Sequence, residues 1–215
     1  MRFVLASASP ARLATFRSAG VEPEVIVSGV DESTVTASDT AALVNALAWA
    51  KAVAVASRLH EPAIVLGCDS LLDVDGKAVG KPASERAAVT RWRQLRGRSA
   101  ILYTGHAMIE TTHGRSRREV VATVVNFGEP SDEEIDDYVA SGEPGAVAGG
   151  FTIDGLGGWF VDSLRGDPHN VVGVCLPVVR RMLLDLDVSL RDIGFGATAT
   201  AVASSAANRP RRQRS

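Results

Sequence analysis

The feature that most narrows the fold is an alternation of short apolar runs with longer segments of helical period. Phe3 to Ala6 is an apolar run of strand length, and it passes through Ser7, Ala8 and Ser9 straight into such a segment. A strand buries every second residue and a helix every third or fourth, so alternating the two patterns along one chain specifies an α/β domain with helices layered on a sheet. Ser9 suits an N-cap with Pro10 at the first helical position. Leu13, Phe16 and Ala19 supply the buried stripe, and Gly20 ends the helix.

The alternation continues downstream. Glu24 to Val27 predicts a second strand, the alanine-rich stretch from about Asp39 to Leu59 a long helix, and Ile64 to Cys68 a buried strand. Asp75 and Gly76 mark a hairpin turn within Leu71 to Val79, and a helix from Ser84 to Leu95 stops at Gly97. Two long strands, Ser99 to Glu110 and Arg117 to Phe127, flank His113 and Gly114 as a hairpin. Ser131 and Glu134 have capping-box spacing for a helix reaching Val139. Gly142 to Gly166 is glycine-rich with apolar residues between, a composition that either makes many turns or lets backbone approach something closely. Leu176 to Leu186 reads as a last amphipathic helix. One domain over residues 1–191 is expected, followed over 192–215 by a disordered tail rich in small residues and then in arginine.

Composition bounds the function. Of 215 residues, 46% are hydrophobic and 22% charged, enough for a packed core. The 23 basic and 25 acidic side chains nearly cancel, so neither nucleic acid nor a membrane surface is an expected partner, and any phosphate must be held by a local cluster. Cys68 and Cys175 sit singly in apolar stretches, which is neither zinc-site spacing nor a disulfide framework, and a reducing compartment fits. The N-terminal apolar run is too short for a signal peptide or a membrane span, so a cytoplasmic protein is expected.

Three groups of residues suggest chemistry. Ser7, Ser9 and Arg12 surround a strand-to-helix turn, where unpaired N–H groups, hydroxyls and a forked cation suit a phosphate, though Ser before Pro is also ordinary capping. Asp69 ends an apolar strand, where a carboxylate could bind a metal or take a proton from water, or could simply form a turn. Asp31, Glu32, Lys51 and Lys81 could hold a hard cation and phosphate oxygens, or be solvated singly. No loop of P-loop type and no dinucleotide fingerprint follows a strand, and the four histidines have no metal-pair spacing.

The order of these segments adds what no single one carries. Leu5 to Arg12, Asp31 and Glu32, Gly67 to Leu72, Gly80 to Pro82, Tyr103 to Gly105, Ser141 to Pro144, Gly155 to Phe160 and Asn170 to Gly173 together resemble the Maf family of nucleotide pyrophosphatases, over about residues 2 to 186. The resemblance implies a Maf and inosine triphosphatase-like architecture, a long twisted mixed sheet flanked by helices with substrate in a cleft between two lobes. It implies a homodimer, and hydrolysis of a nucleoside triphosphate between the α- and β-phosphates with Mg²⁺ or Mn²⁺. By position, Asp69 is then the general base, Glu32 and Asp69 hold the metal, and Ser7, Ser9, Arg12, Lys51 and Lys81 bind the triphosphate.

The chain also departs from the family pattern. Ala11 stands where a first arginine is usual, Ala146 and Val147 replace an Asp-Lys pair, and Ser70 and Asp154 replace a threonine and a glutamine. Arg12, Ser70 and Asp154 are the positions expected to set base preference. An aspartate accepts hydrogen bonds from exocyclic amines and repels carbonyl oxygens, so Asp154 points to a base bearing an amino group, or to broad tolerance. Two other readings compete: a nucleotide-binding regulator of septum formation with little catalysis, and a pool-cleaning hydrolase of modified nucleotides.

Overall fold

A computed structural model describes residues 1–196. Its elements are β1 (Arg2–Leu5), α1 (Pro10–Ser18), β2 (Glu24–Val25), α2 (Thr40–Ala56), β3 (Ala63–Val74), β4 (Lys77–Val79), α3 (Glu85–Leu95), β5 (Ser99–Glu110), β6 (Arg115–Phe127), α4 (Asp132–Ala140), α5 (Glu143–Ala146), β7 (Val161–Arg165), α6 (Pro168–Val172) and α7 (Leu176–Leu184). The strands form one mixed sheet in the order β2-β1-β3-β5-β6-β7, with β4 also on β3. β1 lies parallel to β2 and β3, while the β3–β5, β5–β6 and β6–β7 pairs are antiparallel. The expected α/β class and mixed sheet are both present.

The ends of the helices follow their capping residues. Ser9, Asp39, Ser84 and Asp167 each accept a backbone N–H at the start of α1, α2, α3 and α6, and Ser131 with Glu134 closes the expected capping box on α4. The sequence misleads in four places. Ile64 to Cys68 and the strand after it are one continuous β3, because β5 pairs with every residue from Ile64 to Asp73 and carries the backbone through the polar Asp69 and Ser70. β2 keeps only two residues, both exposed, at the edge of the sheet. β7 and α6 have too few apolar residues to register as elements, and β7 is held as an edge strand by β6. Residues 192–196 pack on the body rather than beginning a tail: Ile193 is buried, the Gly196 N–H donates to Gly20 O at 3.0 Å, and the N-terminal amine donates to Asp192 O. The rest of the expected tail, 197–215, lies outside the described residues.

β3 and β5 each serve two cores. Toward one end, Ile64, Leu66 and Met108 pack with Phe3, Leu5, Phe16 and the apolar face of α7. Toward the other, Leu72, Ala100 and Leu102 pack with Trp92, Phe127, Tyr138 and Phe151. Each fully buried large side chain contributes about 2 kcal/mol, so each cluster is a substantial lobe in its own right. Between them the two strands carry Gly67, Asp69, Ser70, Thr104, Gly105 and His106, a band with almost no apolar bulk.

Two of those residues set the height of α2 above the sheet. A Cβ on Gly67 would lie 2.2 Å from Ala48 O and 2.8 Å from Ala52 N, and one on Gly105 would lie 2.2 Å from Val44 O. The helix backbone therefore rests directly on the strands, with Ala48, Ala52 and Ala107 filling the contact. Glycine is required at both places for space. Gly67→Ala should lift α2 and lower the unfolding free energy by roughly 2–3 kcal/mol, measured by urea denaturation. An unchanged midpoint would show that the helix is free to yield.

Candidate active site

The edge of β3 facing β1 is paired only in part. β1 covers it up to Leu66 and β4 takes over at Leu72, so the stretch from Gly67 to Leu71 is paired on the β5 side alone. Asp69 and Ser70 lie in this gap between the two lobes. Being consecutive in a strand, they point to opposite faces of the sheet.

On one face, Asp69 meets α2. Lys51 reaches down from the helix, and its ammonium donates to Asp69 Oδ1 and lies 2.7 Å from Glu32 Oε1. The Lys51 and Asp69 side chains are 10% and 9% exposed, whereas Glu32, on a 3₁₀ turn over Glu32–Thr34, is 56% exposed and forms the wet side of the group. Burial raises the Asp69 pKa above the usual carboxylate value. Lys51 and Arg12 act against that shift, and the charge of Glu32 adds to it.

On the other face, Ser70 meets α1. Arg12 is buried, and its guanidinium donates to Gly173 O at 2.8 Å, Ser7 Oγ at 3.0 Å and Ser70 Oγ at 3.0 Å. Thr104 Oγ1 donates to Asn170 O at 2.9 Å, so the 2.9 Å contact between Ser70 and Thr104 takes the Ser70 proton. Ser70 thus holds Arg12 in place and keeps only acceptor capacity. A guanidinium has five N–H donors, so Arg12 retains part of its fork for an anion. Gly173 has φ 120°, and a Cβ there would lie 3.0 Å from Arg12 Nε, so glycine is needed for both the turn and the contact.

The structure therefore brings Ser7, Arg12 and Ser70 together, and Glu32, Lys51 and Asp69 together, on two sides of one strand segment. Ser9 stands beside them at the α1 N-cap, accepting from Arg12 N at 3.4 Å while its own N–H donates to Ser7 Oγ at 3.2 Å. Lys81 and Asp154 are not joined to either group. Both are exposed, Lys81 just beyond β4 and Asp154 on a turn of the second lobe, and among the described residues no hydrogen bond or ion pair ties them to Asp69. Reading single residues missed Thr104, Asn170 and Gly173, although they fall in segments that carry the family resemblance.

For a metal, the donor set is partial but suitable. Among the described residues no three His, Cys, Asp or Glu side chains converge. Glu32 and Asp69 oxygens do converge on one cation, the Lys51 ammonium, and Mg²⁺ is commonly held by one or two carboxylates with substrate phosphates and water completing the shell.

The sequence profile described as Maf-like protein matches residues 2–186. The chain belongs to the Maf family. A relative from Streptomyces coelicolor named nucleoside triphosphate pyrophosphatase is 52% identical over 193 residues, covering 89% of this chain and 94% of its own length. One of the same name from Salinispora tropica is 48% identical over 204 residues, covering 93% and 90%. Among solved structures, the Staphylococcus aureus Ham1 protein is similar over 95% of this chain and 100% of that one, at 13% identity and a TM-score of 0.43, too loose a likeness to support an argument.

In this Maf protein the floor of the Arg12 site is also titratable. His106 is fully buried opposite Cys68, and its Nε2 accepts the Cys175 N–H at 2.9 Å at the start of α7. Burial, helped by the charge of Arg12, lowers its pKa from 6.5 to about 4. The unfolded chain then binds the extra proton between those values, so His106 contributes stability that is complete above pH 6.5 and lost as pH falls toward 4. The loss is about 3 kcal/mol. Urea unfolding of the wild type over this range should show that slope, and His106→Gln, which keeps an acceptor but does not titrate, should be flatter. Equal slopes would remove His106 as the cause.

Proposed function

We propose that this Maf protein hydrolyses nucleoside triphosphates to the monophosphate and pyrophosphate with Mg²⁺ or Mn²⁺. The observation that carries the reading is the buried Asp69, sharing Lys51 with Glu32 in the gap of β3 while Arg12 and the start of α1 stand on its other side. A carboxylate whose pKa is raised by burial is a better proton acceptor than one in water. In this reading Asp69 takes a proton from a water as its oxygen bonds to the α-phosphorus, the bond from that phosphorus to the bridging oxygen breaks, and pyrophosphate leaves with the electron pair. Lys51 and the free part of the Arg12 fork neutralise the charge that gathers on the leaving group. The Ser7 and Ser9 turn supplies N–H groups at a helix start for a phosphate. Glu32 and Asp69 would hold the metal, which when bound supplies Lewis-acid polarisation of a phosphoryl oxygen.

Lys81 belongs to the triphosphate site through the resemblance alone. Asp154, carried over in the same way, faces the base and favours one with an amino group. The homodimer also rests on the resemblance, and the cytoplasmic setting on Cys68 and Cys175, both buried and unpaired as in a reducing compartment. Among the described residues no helix is long and apolar enough to cross a membrane.

Pyrophosphate release from a panel of ribo- and deoxynucleoside triphosphates with Mg²⁺ or Mn²⁺ tests the assignment. Asp69→Asn should lower turnover by about 10²-fold or more while nucleotide still binds, and wild-type turnover in that variant would contradict its role as base. Asp154→Gln should move preference toward dTTP and UTP. An unchanged ranking would remove Asp154 from base selection.

A further inference from the structure

The segment that carries Asp154 is wrapped around a single carboxylate. Glu143, at the start of α5, accepts from Tyr138 Oη at 2.8 Å, Thr152 Oγ1 at 2.6 Å, the Leu156 N–H at 3.0 Å and the Gly157 N–H at 2.9 Å. The two N–H donors lie just after Asp154 in the chain and the hydroxyl donor of Thr152 just before it. A Cβ on Gly155 would lie 2.4 Å from Glu143 Oε2, and one on Gly157 would lie 2.4 Å from the Tyr138 hydroxyl, so the backbone closes on these two side chains without room for another atom. Beyond the turn, both flanks are anchored in the second core. Phe151 and Phe160 pack edge-on in the cluster around Trp92 and Phe127, and Trp92 Nε1 donates to Gly150 O at 2.9 Å. Asp154 itself makes no hydrogen bond or ion pair among the described residues, so its position is set wholly by this frame.

We infer that Glu143 is a positioning residue for base recognition, fixing the Thr152 to Gly157 turn so that the Asp154 carboxylate is presented at a defined place. This rests on the reading of Asp154 as the base-facing residue. Glu143 acts only through the turn. An ionised carboxylate has about four acceptor sites and no donor, which matches the four donors that meet here. Burial works to raise its pKa, but the hydrogen bonds from Thr152, Gly157, Leu156 and Tyr138 together lower it, so the ionised form is the one the turn is built on. Glutamine has the same shape, but its NH₂ must face a main-chain N–H or a hydroxyl donor, and the turn loses at least one hold.

The experiment compares wild type, Glu143→Gln, Asp154→Gln and the double variant, using the ratio of kcat/KM for CTP to that for UTP and the separate kcat and KM values. If Glu143 positions the turn, Glu143→Gln should move the ratio about tenfold in the same direction as Asp154→Gln, mostly through KM, and in the double variant the two effects should not add. A purely structural role would instead lower the melting temperature or scale both substrates' kcat equally and leave the ratio alone. If Asp154→Gln moves the ratio and Glu143→Gln does not, the inference falls while the reading of Asp154 stands. If neither moves it, that reading falls and takes the inference with it. Should Glu143→Gln fail to fold, Glu143→Asp, which keeps the charge and shortens the reach, is held to the same criterion.

Discussion

The ammonium of Lys51, held between the buried carboxylate of Asp69 and the exposed one of Glu32, is the interaction on which the rest of the site depends. A buried carboxylate without a partner would protonate or disrupt the fold, and removing one member of a buried pair typically costs about 3–5 kcal/mol. The pair exists only because α2 lies low enough for a lysine to reach a strand residue. That height is permitted by Gly67 and Gly105, whose missing side chains let the backbone of α2 touch the sheet. Charge, burial and helix height are therefore one constraint: a bulkier residue under α2 would act on the chemistry without touching it.

The architecture explains why this happens midway along a strand. β3 and β5 are long enough to enter two cores, and the band between the cores is where β3 loses β1 and has not yet gained β4. Apolar packing holds each end, so the middle is free to carry polar groups. Alternation along the strand then sends Asp69 to the α2 side and Ser70 to the α1 side, so one dipeptide anchors a lysine and an arginine from opposite layers. The second lobe adds a rigid turn, stabilised by Glu143 and by aromatic packing around Trp92, at the place where specificity is expected.

Much of this was legible in the sequence where the signal is local. The Ser9 and Pro10 start of α1, the capping box at Ser131 and the long β5–β6 hairpin follow from spacing alone. Asp69 was legible as a carboxylate at the end of an apolar run, but not as a mid-strand residue, because continuity of pairing with β5 leaves no mark in polarity. Lys51 reads on its own as the wet face of an alanine-rich helix. Only the glycines beneath the helix reveal that it is buried, and a glycine needed for space looks like any other. Glu143 was hidden for a related reason: its four donors come from Tyr138, Thr152, Leu156 and Gly157, none of which marks a carboxylate site when read singly.

In the proposed reaction the gap in β3, with Asp69 on one face and Arg12 on the other, receives the triphosphate. A crystal structure of Asp69→Asn with an α,β-methylene nucleoside triphosphate and Mg²⁺ tests it most directly. The phosphates should lie between Lys51, Arg12 and the Ser7 to Ser9 turn, and the base against the Thr152 to Gly157 turn. Phosphates bound elsewhere, for instance in the apolar groove lined by Phe16, Leu176 and Phe195, would contradict it.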